Sequence, residues 1–340
     1  MKVTFLAPHL RIAGGVRAIL TYANRLAGRG HDVTVLVPAK HVWRAWSRNL
    51  RGAGPDWIPG FRPRVRWVAS WDPARLPTGD ALIATAWQTA AAVAAAPGSS
   101  GAKFYLVQHF ESLYHGAPAE VDRTYALPLR KIVISSWLRD IMQERFAAEA
   151  EVLVTPVDRA LFHPVEGARS SDALRLLMLH HDYAWKGVRE GIEAMAAVRA
   201  RHPEVQLVGF GVKPPRKALP YDEFHENLPQ ERLAWLYSRC PIYLCPSWDE
   251  GLGMPSMEAM ACGAALVTFD NGGSRDYAQD GVTALVAPHR DVAALSRCLD
   301  RMVSDATLRA EIAARGRAFV TESFDWDRAT ARLETILRGY

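Results

Sequence analysis

The sequence predicts an α/β protein built from two doubly wound, Rossmann-like domains, and three observations carry that expectation. Its 340 residues are too many for one ordinary core and suit two. The chain opens on a βαβ pattern. An apolar run over 1–7 leads through a loop with Gly14 and Gly15 to a helical pattern from about 16 to 29, closed by Gly30, and then to a second apolar run over 32–38. Finally, the alternation restarts after a segment of small and polar residues over 164–171, which marks a domain junction near 165.

Taken in order, the remaining runs at 81–85, 103–107 and 131–134 are apolar and β-rich, and turn or helical patterning follows each. That is the signature of parallel strands covered by helices. The second half repeats it, with strand-like runs at 174–179, 205–208, 242–245 and 265–269 and helical patterns at about 188–201, 229–239 and 254–260. The last pattern, 325–337, sets Trp326, Ala329, Leu333, Ile336 and Leu337 at helical spacing, so this helix needs an apolar dock. Asp325 and Asp327 match the DxD spacing by which other transferases hold a metal diphosphate. Their place at the head of a helix suits an N-cap acid and a first-turn acid instead.

No apolar run approaches the length of a membrane span, and the first residues lack a secretory leader's basic and apolar regions, so a cytoplasmic protein is expected. Cys240, Cys245, Cys262 and Cys298 form no CxxC pair and no metal-ligand spacing, which argues against disulfides and zinc. The formal charge of +5 points to anionic partners without choosing among them.

The segment Glu250-Gly-Leu-Gly-Met-Pro-Ser-Met-Glu258 carries the most chemistry. Its glycines let backbone approach a ligand, and Pro255 suits the first turn of a helix whose positive end would face an anion. Glu250 and Glu258 flank that helix start, and a carboxylate is a good bidentate acceptor for vicinal sugar hydroxyls.

This segment resembles the E-x7-E motif of glycosyltransferase family 4, whose members have the GT-B fold of two Rossmann-like domains facing a central cleft. Further residues agree in the family's order. They are Gly14-Gly15-Val16, Thr155-Pro-Val-Asp158 with Phe162-His-Pro164, Lys186-Gly187, Val208-Gly-Phe-Gly211, Pro246-Ser247 and Asn271-Gly-Gly-Ser274. The resemblance covers nearly the whole chain. It implies a first domain over 1–165, completed by a helix over 325–340, and a nucleotide-sugar domain over 166–324. It also implies that Glu258 binds the ribose, Glu250 the donor sugar and Lys186 the pyrophosphate, while Gly251, Leu252, Gly253, Met254, Pro255 and Ser256 cradle diphosphate and sugar. The same resemblance places Gly14 and Gly15 against the donor and a histidine, here His109, toward the donor sugar. Gln108-His-Phe-Glu111 also resembles a branch that includes bacterial rhamnosyltransferases.

The family's usual arginine before the lysine is missing, and His180-His181-Asp182 stands there. Either histidine could donate to phosphate, or one could be a core residue at a strand end. The implied reaction is a retaining transfer from a UDP-, dTDP- or GDP-linked sugar to a saccharide or lipid-linked acceptor, with no cofactor and no metal. A sugar-nucleotide epimerase and a non-catalytic nucleotide-sugar binding protein are the rival classes. A dinucleotide oxidoreductase fits poorly because the first βαβ unit lacks GxGxxG. No nucleic-acid partner is expected.

One basic and aromatic stretch, 41–67, stands apart. On a helix, Val42, Trp43, Trp46 and Leu50 share one side and Arg44, Arg48 and Arg51 the other; Trp57, Phe61 and Trp67 with Arg62, Arg64 and Arg66 follow. Three readings compete: the apolar side packs on the first domain, it sits against an anionic membrane at the inner face, or the tryptophans stack on a saccharide acceptor.

Overall fold

The computed structural model describes residues 1–58, 60–169 and 173–339; Pro59 of the basic stretch, Ser170 and Ser171 of the junction, and Tyr340 of the terminal pattern lie outside them. The chain forms two compact units, residues 1–154 with 327–340, and residues 155–326.

In the first unit the elements run β1 (Lys2–Leu6), α1 (Gly14–Gly28), β2 (Asp32–Pro38), α2 (Val42–Leu50), β3 (Arg64–Val68), β4 (Ala81–Ala84), α3 (Trp87–Ala95), β5 (Ala102–Val107), α4 (Pro118–Tyr125), β6 (Arg130–Val133), α5 (Ser136–Phe146) and β7 (Ala150–Val152). All seven strands pair in parallel, in the order β3-β2-β1-β4-β5-β6-β7. Val3 and Phe5 of β1 face Val33 and Val35 on one side and Ala81 and Ile83 on the other. These residues are almost fully buried, as expected of a parallel sheet covered on both faces.

The second unit contains β8 (Arg175–Leu179), α6 (Val188–Arg199), β9 (Gln206–Gly211), β10 (Glu223–Glu226), α7 (Gln230–Arg239), β11 (Ile242–Cys245), α8 (Met254–Ala261), β12 (Ala265–Phe269), β13 (Ala284–Ala287), α9 (Val292–Ser304) and α10 (Ala306–Ser323). Its parallel sheet has the order β10-β9-β8-β11-β12-β13. Leu176, Met178, Leu207, Leu244 and Val267 form the sheet side of its core, against Met195 of α6 and Leu295 and Leu299 of α9.

The final helix, α11 (Trp326–Arg338), belongs from Asp327 onward to the first unit. Leu333, Ile336 and Leu337 are buried there, and Glu334 bonds both Arg29 and His31, at 2.9 and 2.7 Å. Asp325 precedes the helix and pairs with Arg159; Asp327 lies in its first turn and pairs with Arg25.

Several expectations need correction. The boundary falls at 154/155 rather than near 165, because Phe162 is buried in the second unit with its ring edge-on to Tyr237. Helix α1 begins at Gly14, so both glycines sit in its first turn rather than in a preceding loop. Nor does the apolar side of α2 pack on the domain: Val42, Trp43, Trp46 and Leu50 are 63–74% exposed, and Ala45 alone of this helix is buried.

Candidate active site

In the second sheet, β8 and β11 are neighbours from which the strand order runs both ways, β9 and β10 beyond β8, β12 and β13 beyond β11. A ligand of an open α/β sheet binds in the crevice beyond the carboxyl ends of such strands. The segment leaving β8 carries His180, His181 and Lys186, and that leaving β11 carries Glu250 and the glycines before α8.

These two segments meet. Lys186 Nζ lies 2.6 Å from Glu250 Oε1, both side chains being largely buried, and the ammonium also sits 4.1 Å over the Trp185 ring. The backbone enforces the meeting. Gly187 has φ +67°, and a Cβ there would stand 1.8 Å from the Pro246 carbonyl oxygen, while Trp248 N–H donates to Trp185 C=O at 2.8 Å. Glu250 is fixed from the other side: its N–H donates to Asn271 C=O and its C=O accepts from Gly273 N–H, at 2.9 and 3.1 Å. Gly273 leaves no room for a side chain, since a Cβ would meet Leu252 backbone at 2.6 Å. The Lys-Gly pair and the Gly-Gly turn are thus the contacts that hold cation and carboxylate together.

Gly253 is the N-cap of α8 at φ +90°, where a Cβ would meet the Tyr277 hydroxyl at 2.5 Å. Pro255 follows in the first two helical positions, beside Met254. Gly253, Pro255 and Ser256 line a recess of about 280 Å³, solvent-open space included, with Lys186 and Glu250 at its wall. Gly251 and Leu252 are buried. The helix start offers positive potential to an anion, and Lys186 adds a full charge.

Glu258, one turn into α8, is 3% exposed and accepts a hydrogen bond from the Tyr237 hydroxyl at 3.2 Å. Tyr237 was not singled out from the sequence because it reads there as one more apolar position of α7.

The two histidines differ. His180 is buried with its ring edge-on to Tyr221 and Phe224, and burial holds its imidazole below the ordinary pKa. This is a core environment. His181 accepts at Nδ1 from Tyr183 N–H at 3.1 Å, so its neutral form carries the proton on Nε2. Burial, then the charge of Lys186, lowers its pKa, which makes it a neutral donor near the lysine. Gly209 and Gly211 admit Tyr221, Phe224 and the His180 carbonyl at 2.6–2.8 Å from where Cβ atoms would stand, and so seat His180.

In the first unit, Gly15 lets α1 approach Gln108: a Cβ would lie 3.1 Å from its side-chain oxygen. A Cβ at Gly14 would meet nothing within 4 Å. His109 follows β5, packs edge-on to Tyr114 and His115, and its carbonyl accepts from the Tyr125 hydroxyl at 3.3 Å. Glu111, two residues on, accepts from Trp87 N–H at the start of α3 and from Tyr105. Burial pushes its carboxyl up to about 7. Among the described residues, no group of three or more His, Cys, Asp or Glu side chains gathers as metal ligands would.

Known proteins resemble the chain in sequence and in fold. Residues 162–319 match the family described as Glycosyl transferases group 1. The O-antigen biosynthesis protein RfbC of Myxococcus xanthus is 28% identical over 275 residues, which are 79% of this chain and 21% of that protein. A D-inositol 3-phosphate glycosyltransferase of Frankia alni is 36% identical over 117 residues, 34% of this chain and 28% of its own. The matches thus span well under a third of these relatives. In fold, the chain resembles a sucrose-phosphate synthase of Thermosynechococcus elongatus, with a TM-score of 0.80 at 17% identity over 99% of this chain and 98% of the other. It also resembles Anabaena HepE in complex with UDP-glucose, with a TM-score of 0.78 at 16% identity over all of both chains. Residues 162–319 are thus similar to the glycosyl transferases group 1 family, and the chain has the GT-B fold of its structural neighbours.

Proposed function

We propose that the chain moves a sugar from a nucleotide diphosphate donor, UDP-, dTDP- or GDP-linked, to a saccharide or lipid-linked acceptor in glycan biosynthesis, with retention at the anomeric carbon. The observation that carries this reading is the Lys186–Glu250 pair, 2.6 Å apart, at the Gly253-capped start of α8. Without donor the two charges neutralise each other. An arriving diphosphate would take Lys186 and the helix start, releasing Glu250 to accept from sugar hydroxyls, and Glu258 would meet the ribose.

The anomeric C–O bond to the leaving diphosphate breaks as the bond to the acceptor oxygen forms on the same face of the sugar. The acceptor proton passes to the departing phosphate oxygen. Charge builds on that phosphate, where Lys186 and the helix N-terminus stabilise it, and His181 Nε2–H adds a neutral donor. HepE, described with bound UDP-glucose, and the O-antigen protein RfbC support the donor class and the pathway class. Two further relatives have names that specify alpha products, the outcome of retention from an α-linked donor.

The test is incubation with a panel of nucleotide sugars, with and without candidate acceptors. Acceptor-dependent release of nucleoside diphosphate is expected. Conversion of donor to an isomer without acceptor would favour an epimerase, and binding without turnover a binding protein; either result overturns the proposal.

A further inference from the structure

A basic cavity is lined wholly by residues of the first unit. His9, Arg11, Lys40, Arg44, Arg48 and Trp67 are among the residues that line an open cavity of about 1120 Å³, solvent-open space included, and no acidic side chain lines it. Arg11 and Lys40 follow β1 and β2, while Arg44 and Arg48 come from α2. Arg44 and Arg48 each lie over an indole. Arg48 stacks 4.0 Å over the Trp67 ring, and Trp67 is itself fixed by its indole N–H to Ala53 C=O and by two backbone hydrogen bonds to the Asn49 side chain. Arg44 lies 5.0 Å over the Trp43 ring.

The same helix turns its apolar residues to solvent. Trp43 and Trp46 are 63% and 66% exposed, and Ile12, beside Arg11, is 67% exposed. A surface helix ordinarily buries that face. Here a cavity that concentrates positive charge opens beside exposed indoles, a side chain suited to the headgroup layer of a bilayer. Four cations round one cavity exceed what a single carboxylate requires, and guanidinium forks match phosphate oxygens.

We propose that this cavity takes the phosphate of a membrane lipid, with Trp43 and Trp46 seated at the bilayer surface beside it. In the transferase reading, on which this consequence alone rests, the site selects a lipid-linked acceptor over a soluble saccharide.

The test uses the full chain and soluble dihexanoyl phosphatidic acid, followed by calorimetry, with inorganic phosphate and dihexanoyl phosphatidylcholine as comparison probes. Arg11→Ala/Arg44→Ala should bind the phosphatidic acid at least tenfold more weakly than the wild type. Trp43→Ser/Trp46→Ser should bring its affinity down toward that of inorganic phosphate, and Lys186→Ala should leave it unchanged. All substituted cavity and rim residues are exposed, so melting temperatures should hold; should the double arginine variant melt early, Arg44→Glu alone carries the same comparison. Equal binding by wild type and the cavity variants would overturn the site. Equal affinity for inorganic phosphate and the lipid would overturn the lipid source, and loss in Lys186→Ala would place the ligand in the donor recess instead. Pelleting with phosphatidylcholine vesicles should require added phosphatidylglycerol; equal pelleting without it would overturn the charge argument. Failure of every nucleotide sugar to react would sink the transferase reading and leave these titrations intact.

Discussion

A Cβ added at Gly187 would stand 1.8 Å from the Pro246 carbonyl oxygen, so the segments leaving β8 and β11 touch backbone to backbone. Gly187 also has φ +67°, a conformation that strains any other L-residue by about 1–2 kcal/mol. Gly187→Ala is expected to destabilise the protein by at least about 2 kcal/mol and to draw Lys186 away from Glu250. A lowered melting temperature together with weakened nucleoside diphosphate binding would show both effects; an unchanged melt would show that the contact relaxes freely.

Lys186→Ala and Glu258→Ala should each weaken nucleoside diphosphate binding by about ten- to a hundredfold, since charge-assisted hydrogen bonds contribute about 1.5–3 kcal/mol. Glu250→Ala should act differently. It frees Lys186 from its partner in the unliganded state, so diphosphate affinity is kept or raised while turnover falls. Calorimetry with the free nucleotide, alongside initial rates, separates these cases. Unchanged affinity in both of the first two variants would contradict the site.

Much of this site was legible because its residues are consecutive. Glu250 to Glu258 is one loop and one helix start, and Lys186-Gly187 is a local signature. What the sequence did not show is contact across the chain: Tyr237 against Glu258, Pro246 against Gly187, Gly273 against Leu252. The central strands were legible too, since burial on both faces leaves continuous apolar runs. Edge strands β3, β7 and β10 are partly exposed, read Arg-Val-Arg-Trp-Val, Ala-Glu-Val and Glu-Phe-His-Glu, and give no such run. The exposure of Trp43 and Trp46 was unreadable because a helix has the same periodicity whether its apolar face is covered or bare.

Glu111 should make stability depend on pH. Its folded carboxyl titrates at about 7 because burial disfavours the charge, against an ordinary value of 4.5. The folded state therefore holds a proton that the unfolded chain releases between those values. Stability falls as pH rises from about 4.5 to about 7, by up to about 3 kcal/mol, and then levels off. Glu111→Gln, which can still accept from Trp87 N–H, should flatten that slope and be the more stable protein at pH 8. Parallel pH profiles of denaturation midpoint for the two proteins would show otherwise by keeping one slope.

Turnover should survive EDTA, because in the proposed reaction Lys186 and the start of α8 would meet the diphosphate charge. Activity lost to the chelator and restored by magnesium or manganese would contradict this and return attention to Asp325 and Asp327, which pair with Arg159 and Arg25.

Helix α11 should be required for the first unit to fold, although none of the proposed chemistry lies on it. Leu333, Ile336 and Leu337 are each no more than 4% exposed, and burying such side chains contributes about 1.5–3 kcal/mol apiece. Burial alone would raise the Glu334 carboxyl, but hydrogen bonds from Arg29 and His31 outweigh it and hold the group below its ordinary value. That contribution is present at neutral pH and is lost as pH falls through the lowered pKa. Deleting 325–340 removes all of these at once and approaches the whole stability of a domain, so the truncated chain should lose the cooperative unfolding of its first unit. Leu333→Ala is the milder probe, expected to cost about 2–4 kcal/mol while leaving diphosphate affinity of the second unit intact. A truncated protein that melts like the full chain would show that α11 is not part of the first unit's core.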